Sequence, residues 1–251
     1  LHGHSFGNLF ITAMTKITGD FERAVQASSK VLAIRGRVVP STNMKVCLVA
    51  EHDDGSITHG ETRISSSKSP IRRLYLDPSL CRPTAEAVEA IREANAIILG
   101  PGSLYTSILP NLLVQQMVDA IVQSKAIKIY VCNVMTQPNE TSGYRASDHV
   151  RALVTHTSPG ILQVCVVNTR AVPSGLLEKY REEGAFPVEP DLDRIREQGY
   201  QVVADDVISA EDYVRHDSDK VARLLIQIIV GVRGRMVTPI ASRAARPTSD
   251  R

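Results

Sequence analysis

From Pro83 onward the chain alternates short, continuously apolar runs with stretches of helical period, and this rhythm limits the possible folds more than any other feature. The runs lie near 96–99, 127–132, 163–168 and 201–204. A strand that is apolar on both faces needs cover on both sides, unlike the half-wet strands of an open antiparallel sheet. The alternation therefore predicts an α/β fold, a doubly wound and mainly parallel sheet between two layers of helix. The intervening helices read as "TAEAVEAIREAN", with Thr84 as cap and Ala87, Ile91 and Ala94 facing inward, then "PNLLVQQMVDAIVQS", with Pro110 in its first turn. "SDHVRALVTHT", "GLLEKYREEG" and a last helix "DSDKVARLLIQIIV", capped by Asp217 or Ser218, complete the set.

Before Pro83 the pattern differs. Leu9, Ala13 and Ile17 share a helical face, with Asn8 as the expected cap, and a second helix is expected over about 20–29. Residues 31–77 show period-2 stretches, "VLAIRGRVVPST", "KVCLVAEHDDGS", "ITHGETRIS" and "IRRLYLDP", split by turns, among them Asp53-Asp54-Gly55, and read as a β-rich insertion extending the main sheet. The expected organisation is one domain over 1–232 and an Arg-rich, disordered tail over 233–251. The chain opens at "LHGHSFGNLF", with neither an initiator Met nor a strand before the first helix, and so reads as the back portion of a longer protein.

Composition excludes several classes. Aromatic residues make up 4% of the 251, with no Trp, which argues against a binder that stacks single-stranded bases. The last 21 residues carry five Arg and one Asp, so the rest of this +2 chain is about −2, no electrostatic footprint for nucleic acid. Cys47, Cys81, Cys132 and Cys165 form no CxxC pair, and three sit in strand-like runs, the pattern of buried free thiols in a reducing cytosol. No stretch reaches 18 uninterrupted apolar residues, so no membrane span is expected, and no signal peptide is recognisable. The seven histidines form no metal motif, and a triad of Ser103, His149 and Asp148 lacks the G-x-S-x-G elbow.

In an open parallel sheet, ligands lie beyond the carboxyl ends of the strands. "GPGSLYTSILPNLL" stands at such an end: Gly100 and Gly102 permit close backbone approach, and the hydroxyls of Ser103, Thr106 and Ser107 can donate to phosphate oxygens. A tight turn capped by Ser and Thr explains the same residues. Asn133 and Asn168 follow two other strands in the same relative place, pointing to a shared cleft. Glu140 reads equally as a base, an acceptor for a sugar hydroxyl, or a solvated loop carboxylate. Arg215 precedes the last helix as a phosphate clamp or a surface charge.

The blocks "GHSFGNLF" at 3–10, "GPGSLYTSILPNLLV" at 100–114, "YVCNVMTQPNETSGYRASDHVRAL" at 130–153 and "VRHDSDKVA" at 214–222 resemble those of the YvcK family, proteins labelled gluconeogenesis factors and related to the CofD phosphotransferases. The resemblance covers about 1–231. It implies a Rossmann-like three-layer fold and a cleft for a nucleotide sugar of the UDP-N-acetylglucosamine type. It also implies a cytoplasmic role in bacterial cell shape and envelope synthesis during gluconeogenic growth, with an envelope-synthesis protein as partner and a homodimer as a further option. By motif match it assigns ligand binding to Gly7, Asn8, the Gly100 to Ser107 loop, Asn133, Tyr180 and Arg215, to which the strand-end reading adds Asn168. The alternatives are a CofD-type transferase using Mg²⁺ and a scaffold with a vestigial cleft. The family's GGGTG loop and acidic loop are not in this sequence, and "GPGS" stands where the CofD branch reads "GPSNP", so no metal ligand is assigned.

Overall fold

The computed structural model describes residues 6–33 and 35–237; of Asn8 and residues 232–237 only the backbone is described. Helix α1 (Phe6–Thr18) and helix α2 (Phe21–Val31) pack as a hairpin. Asp20 caps α2, its Oδ1 accepting from the Arg23 amide at 2.8 Å. Because α1 starts at Phe6, Asn8 lies inside the helix and is not its cap.

The insertion forms its own layer. Strands β1 (Cys47–His52), β2 (Ile57–His59) and β3 (Ile71–Asp77) make an antiparallel sheet in the order β2-β1-β3, with no ladder to the parallel strands. The expected extension of the main sheet is thus a separate sheet. The physical reason is that Leu48, Ala50, Ile71, Leu74 and Leu76 bury into the same core as Leu99, Leu104 and Tyr105, so the sheet stacks on that core through a face. "GETRIS", read as strand, is helix α3 (Glu61–Ser65), and residues 35–46 carry no strand.

Helix α4 (Ala85–Glu93) begins at Thr84, whose Oγ1 accepts from the Ala87 amide at 3.1 Å. Strand β4 (Ala96–Leu99) leads into a π-helical turn, Leu104–Ile108, then helix α5 (Leu109–Leu112) and helix α6 (Met117–Gln123). One continuous helix was expected here. Pro110 has no N–H for the hydrogen bond that would carry the preceding turn onward, and Gln116, left-handed at φ 63°, separates α5 from α6. Strand β5 (Ile127–Val131), helix α7 (Ala146–His156), strand β6 (Val164–Asn168), helix α8 (Ser174–Glu182), helix α9 (Leu192–Glu197) and strand β7 (Gln201–Asp205) follow.

The four strands β4-β5-β6-β7 are parallel throughout, in chain order, with register pairs such as Ile98 with Ile129 and Val131 with Val166. Alternate residues divide between two helical layers. Tyr130, Cys165 and Val167 share a core with Val150 and Leu153 of α7. Ile129, Val131, Val164 and Val166 pack with Val221 and Leu224 of the last helix. Burying a Val, Leu or Ile side chain contributes about 1.5–3 kcal/mol, and β5 is buried at all five positions, so this strand anchors the sheet.

Two strands escape the sequence reading. Strand β8 (Ile208–Ala210) and strand β9 (Val214–His216) form a hairpin in front of helix α10 (Ser218–Val237). Asp217 caps α10, its Oδ1 accepting from the amides of Asp219 and Lys220 at 3.0 Å each. Helix α10 continues to Val237, beyond the 232/233 boundary expected for the tail; residues 238–251 lie outside the described ones. All four cysteines are free, with Cys81, Cys132 and Cys165 buried and Cys47 half-buried.

Candidate functional site at the carboxyl ends of the strands

The loop after β4 is built around Gly100. Its φ is +85°, and a Cβ there would stand 3.1 Å from both the Val131 carbonyl oxygen and Ile108 Cδ1. Only glycine accepts that backbone and that closeness to β5. Gly102 differs. A Cβ there would lie 3.4 Å from Ser107 Cβ, an ordinary contact, so the fold leaves room for one.

The hydroxyls of the loop turn mostly toward the segment after β5. Ser103 Oγ accepts from Gln137 Nε2 at 2.7 Å. Thr106 Oγ1 donates to the Glu140 carboxylate at 3.2 Å. Ser107 is exposed, and its carbonyl accepts from Asn111 Nδ2 at 2.7 Å. Glu140 is buried and also accepts from Ser65 Oγ at 2.8 Å, so it ties α3 to this loop instead of lying in solvent. Burial pushes its carboxyl above the ordinary range, while the Ser65 and Thr106 hydroxyls oppose the shift.

An aromatic layer supports the loop. Tyr105 and Tyr144 share a hydroxyl–hydroxyl bond of 2.8 Å. The Tyr105 ring meets His156 edge-on at 5.6 Å, and Tyr144 meets His149 at 5.4 Å. Each histidine donates from Nδ1 to the carbonyl four residues back, Arg145 or Ala152, and burial lowers both pKa values. Asp148 bonds the Arg145 amide and the Arg151 guanidinium, so no Ser103-His149-Asp148 relay is assembled.

Beyond β4 and β5 lies a cleft of about 230 Å³, lined by Gly102, Asn133, Gln137, Val214, Arg215 and His216, with Val134 and Met135 between them. The Asn133 side chain makes no hydrogen bond with the described residues, and its Oδ1 is buried without a partner. Arg215 sits on β9, not in the turn before α10. Its guanidinium carbon stands 5.6 Å from the centroid of the Tyr213 ring, and no carboxylate among the described residues forms an ion pair with it. His216 Nε2 donates to the Cys132 carbonyl at 3.1 Å, and burial lowers its pKa, so it is neutral near pH 7.

Three of the residues expected from sequence, Gly102, Asn133 and Arg215, therefore converge in one cleft. Tyr180 serves the hairpin: its Oη accepts from the Val214 amide at 2.9 Å, next to Arg215. Asn168 stands apart, because Oδ1 accepts from the amides of Arg170 and Val207 and Nδ2 donates to the Arg170 carbonyl. Gly7 lies in α1, where a Cβ would meet nothing within 4 Å, and the side chain of Asn8 is outside the described residues. Gln137 was not singled out from sequence, whereas His216, beside Arg215 ahead of the last helix, stands where the sequence places a group able to face an anion. Gln137 falls four positions after Asn133, but only its partner Ser103 reveals the orientation of its amide. Among the described residues no group of three or more His, Cys, Asp or Glu side chains converges to hold a metal ion, and no helix is long and apolar enough to cross a membrane.

The parallel α/β core thus carries, beyond its strand ends, a polar cleft that holds a guanidinium without a carboxylate partner and an unused amide. The model of the family described as 2-phospho-L-lactate transferase CofD matches residues 1–208. The gluconeogenesis factor of Bacillus subtilis (strain 168) is 46% identical over 230 residues, covering 91% of this chain and 73% of that protein. The gluconeogenesis factor of Halalkalibacterium halodurans is 43% identical over 228 residues, 90% of this chain and 71% of its own length. A crystal structure of a UPF0052 family member from Bacillus halodurans superimposes with a TM-score of 0.85 at 43% identity, covering 89% of this chain and 73% of that one. The chain belongs to the CofD family, in its gluconeogenesis-factor (YvcK/UPF0052) branch.

Proposed function

We propose that this protein binds a nucleotide-linked sugar of the UDP-N-acetylglucosamine type and acts as a regulator of cell shape and envelope synthesis in the bacterial cytoplasm. The observation that carries the reading is the placing of Arg215, without a carboxylate partner, in one cleft with Gly102 and the unused Asn133 amide. A guanidinium free of acidic neighbours suits phosphate oxygens, which it can meet with two parallel hydrogen bonds. A glycine lets a diphosphate approach the backbone, and a spare amide offers a donor and an acceptor to sugar hydroxyls. The names of the relatives support a role in gluconeogenic growth. We treat residues 1–232 as one functional unit and an envelope-synthesis protein as the regulated partner.

A transferase reading draws on the CofD family match. That chemistry in its Mg²⁺-dependent form needs a seat for the ion, and the described residues bring no acidic cluster together.

Calorimetric titration of the chain with UDP-N-acetylglucosamine, UDP, UMP and GDP, with and without Mg²⁺ and with product analysis, tests the proposal. Saturable binding of the UDP-sugar without turnover is the expected result. Absence of binding at millimolar ligand would refute it, and Mg²⁺-dependent product would transfer the case to the enzyme.

A further inference from the structure

We infer that Gln137, oriented by Ser103, is the residue that selects the glycosyl part of the ligand, by offering its carbonyl to a sugar hydroxyl or amide N–H beside the phosphate held by Arg215. This rests on the nucleotide-sugar reading above and adds to it which end of the ligand the cleft reads.

Gln137 Nε2 donates to Ser103 Oγ at 2.7 Å, and Oε1, the other end of the same amide, is buried with no partner. Asn133 Oδ1, lining the same cleft, is in the same condition. Two buried carbonyl oxygens without donors are unusual, because each costs about 1–3 kcal/mol while unsatisfied. A ligand that brings donors to both relieves that cost, with a small turn of each amide toward the cleft.

The shape of the cleft decides which donors. At about 230 Å³ it is smaller than the usual pocket for a whole small-molecule ligand, roughly 300–1,000 Å³. It suits a phosphate and one neighbouring group. Among the described residues its lining has no Phe, Tyr or Trp on which a uracil would stack, and it includes two amide side chains whose oxygens lack donors, which match the several hydroxyls or the acetamido N–H of a hexose. Arg215 reaches the cleft from the β8–β9 hairpin and Gln137 from the segment after β5, tied to the loop after β4.

The backbone at Gln137 is held independently of its side chain. Its amide donates to Thr141 Oγ1 at 2.9 Å and its carbonyl accepts from the Thr141 amide at 2.9 Å. Gln137→Met therefore keeps the loop and removes the acceptor.

The test is the ratio of affinities for UDP-N-acetylglucosamine and UDP, measured by calorimetry for the parent chain, Gln137→Met and Ser103→Ala, with thermal melts as fold control. Loss of one neutral hydrogen bond predicts that Gln137→Met narrows the ratio roughly three- to tenfold. Ser103→Ala should narrow it less, since the acceptor remains but loses its orientation. An unchanged ratio, or equal losses for UDP and UDP-sugar, would overturn the inference while leaving nucleotide-sugar binding intact. If the parent chain binds neither, the functional proposal falls and the inference with it.

Discussion

Replacing Gly100 by valine should lower the free energy of unfolding by about 3 kcal/mol or more, read as a fall in denaturant midpoint at constant slope. Two costs combine. A β-branched residue at φ +85° is a backbone outlier. Its Cβ would also press on the Val131 carbonyl and on Ile108 Cδ1, each 3.1 Å away. The Val131 carbonyl belongs to β5, the strand buried at every position, so it is not free to retreat. Gly102→Ala is the control. Its Cβ meets only Ser107 and Ile108 side-chain atoms at 3.4 and 3.8 Å, and the expected change is within about 1 kcal/mol. Equal losses at both positions would show that the loop needs glycine throughout for folding, and the distinction between the two would be wrong.

Arg215→Ala should weaken UDP-N-acetylglucosamine binding by at least tenfold while the melting temperature stays nearly constant. A hydrogen bond to a charged group contributes about 1.5–3 kcal/mol, which corresponds to a roughly 10- to 150-fold change in affinity. Stability has little to lose, since the guanidinium lies over the half-exposed ring of Tyr213, a cation–π pair of about 0.5–1 kcal/mol at such a site. Lys179 Nζ lies 4.0 Å from the same ring and stays with it in the variant. Arg215→Lys should restore part of the affinity, because an ammonium carries the charge without the planar fork. Calorimetry on the three chains decides, and parent-like binding by the alanine form would make Arg215 a surface charge.

The parallel sheet was legible because its evidence is local. Runs such as "AIILG" and "KIYVCNV" announce strands apolar on both faces, and β4 to β7 fall within or beside the expected runs. The insertion misled at the level of packing. Its alternation located β1 to β3 but also read helix α3 and residues 35–46 as strand, and the choice between joining the sheet by an edge and stacking on the core by a face depends on partners such as Leu104 and Tyr105, far along the chain. The β8–β9 hairpin is three residues per strand, too short to carry a period.

The site divides the same way. Gly102, Asn133 and Arg215 could be proposed from their place after apolar runs or before a helix, and they do meet. What their neighbours do could not be read, since it is set by contacts across long sequence separations. Tyr180 reaches Val214 across 34 positions, Ser103 reaches Gln137 across 34, and Ser65 reaches Glu140 across 75. Glu140 gives the plainest example. Its flanking residues suggest a wet loop, and only the hydroxyls of Ser65 and Thr106 make its burial tolerable.

The central claim, that the cleft between Gly102, Asn133 and Arg215 is where a nucleotide sugar binds, is tested most directly by a crystal structure of the chain with UDP-N-acetylglucosamine. The account predicts a phosphate oxygen at charge-assisted hydrogen-bond distance from the Arg215 guanidinium, about 2.7–2.9 Å, with the sugar against Asn133 and Gln137 and the diphosphate beside Gly102. Ligand density elsewhere on the molecule, with this cleft unchanged, would contradict it.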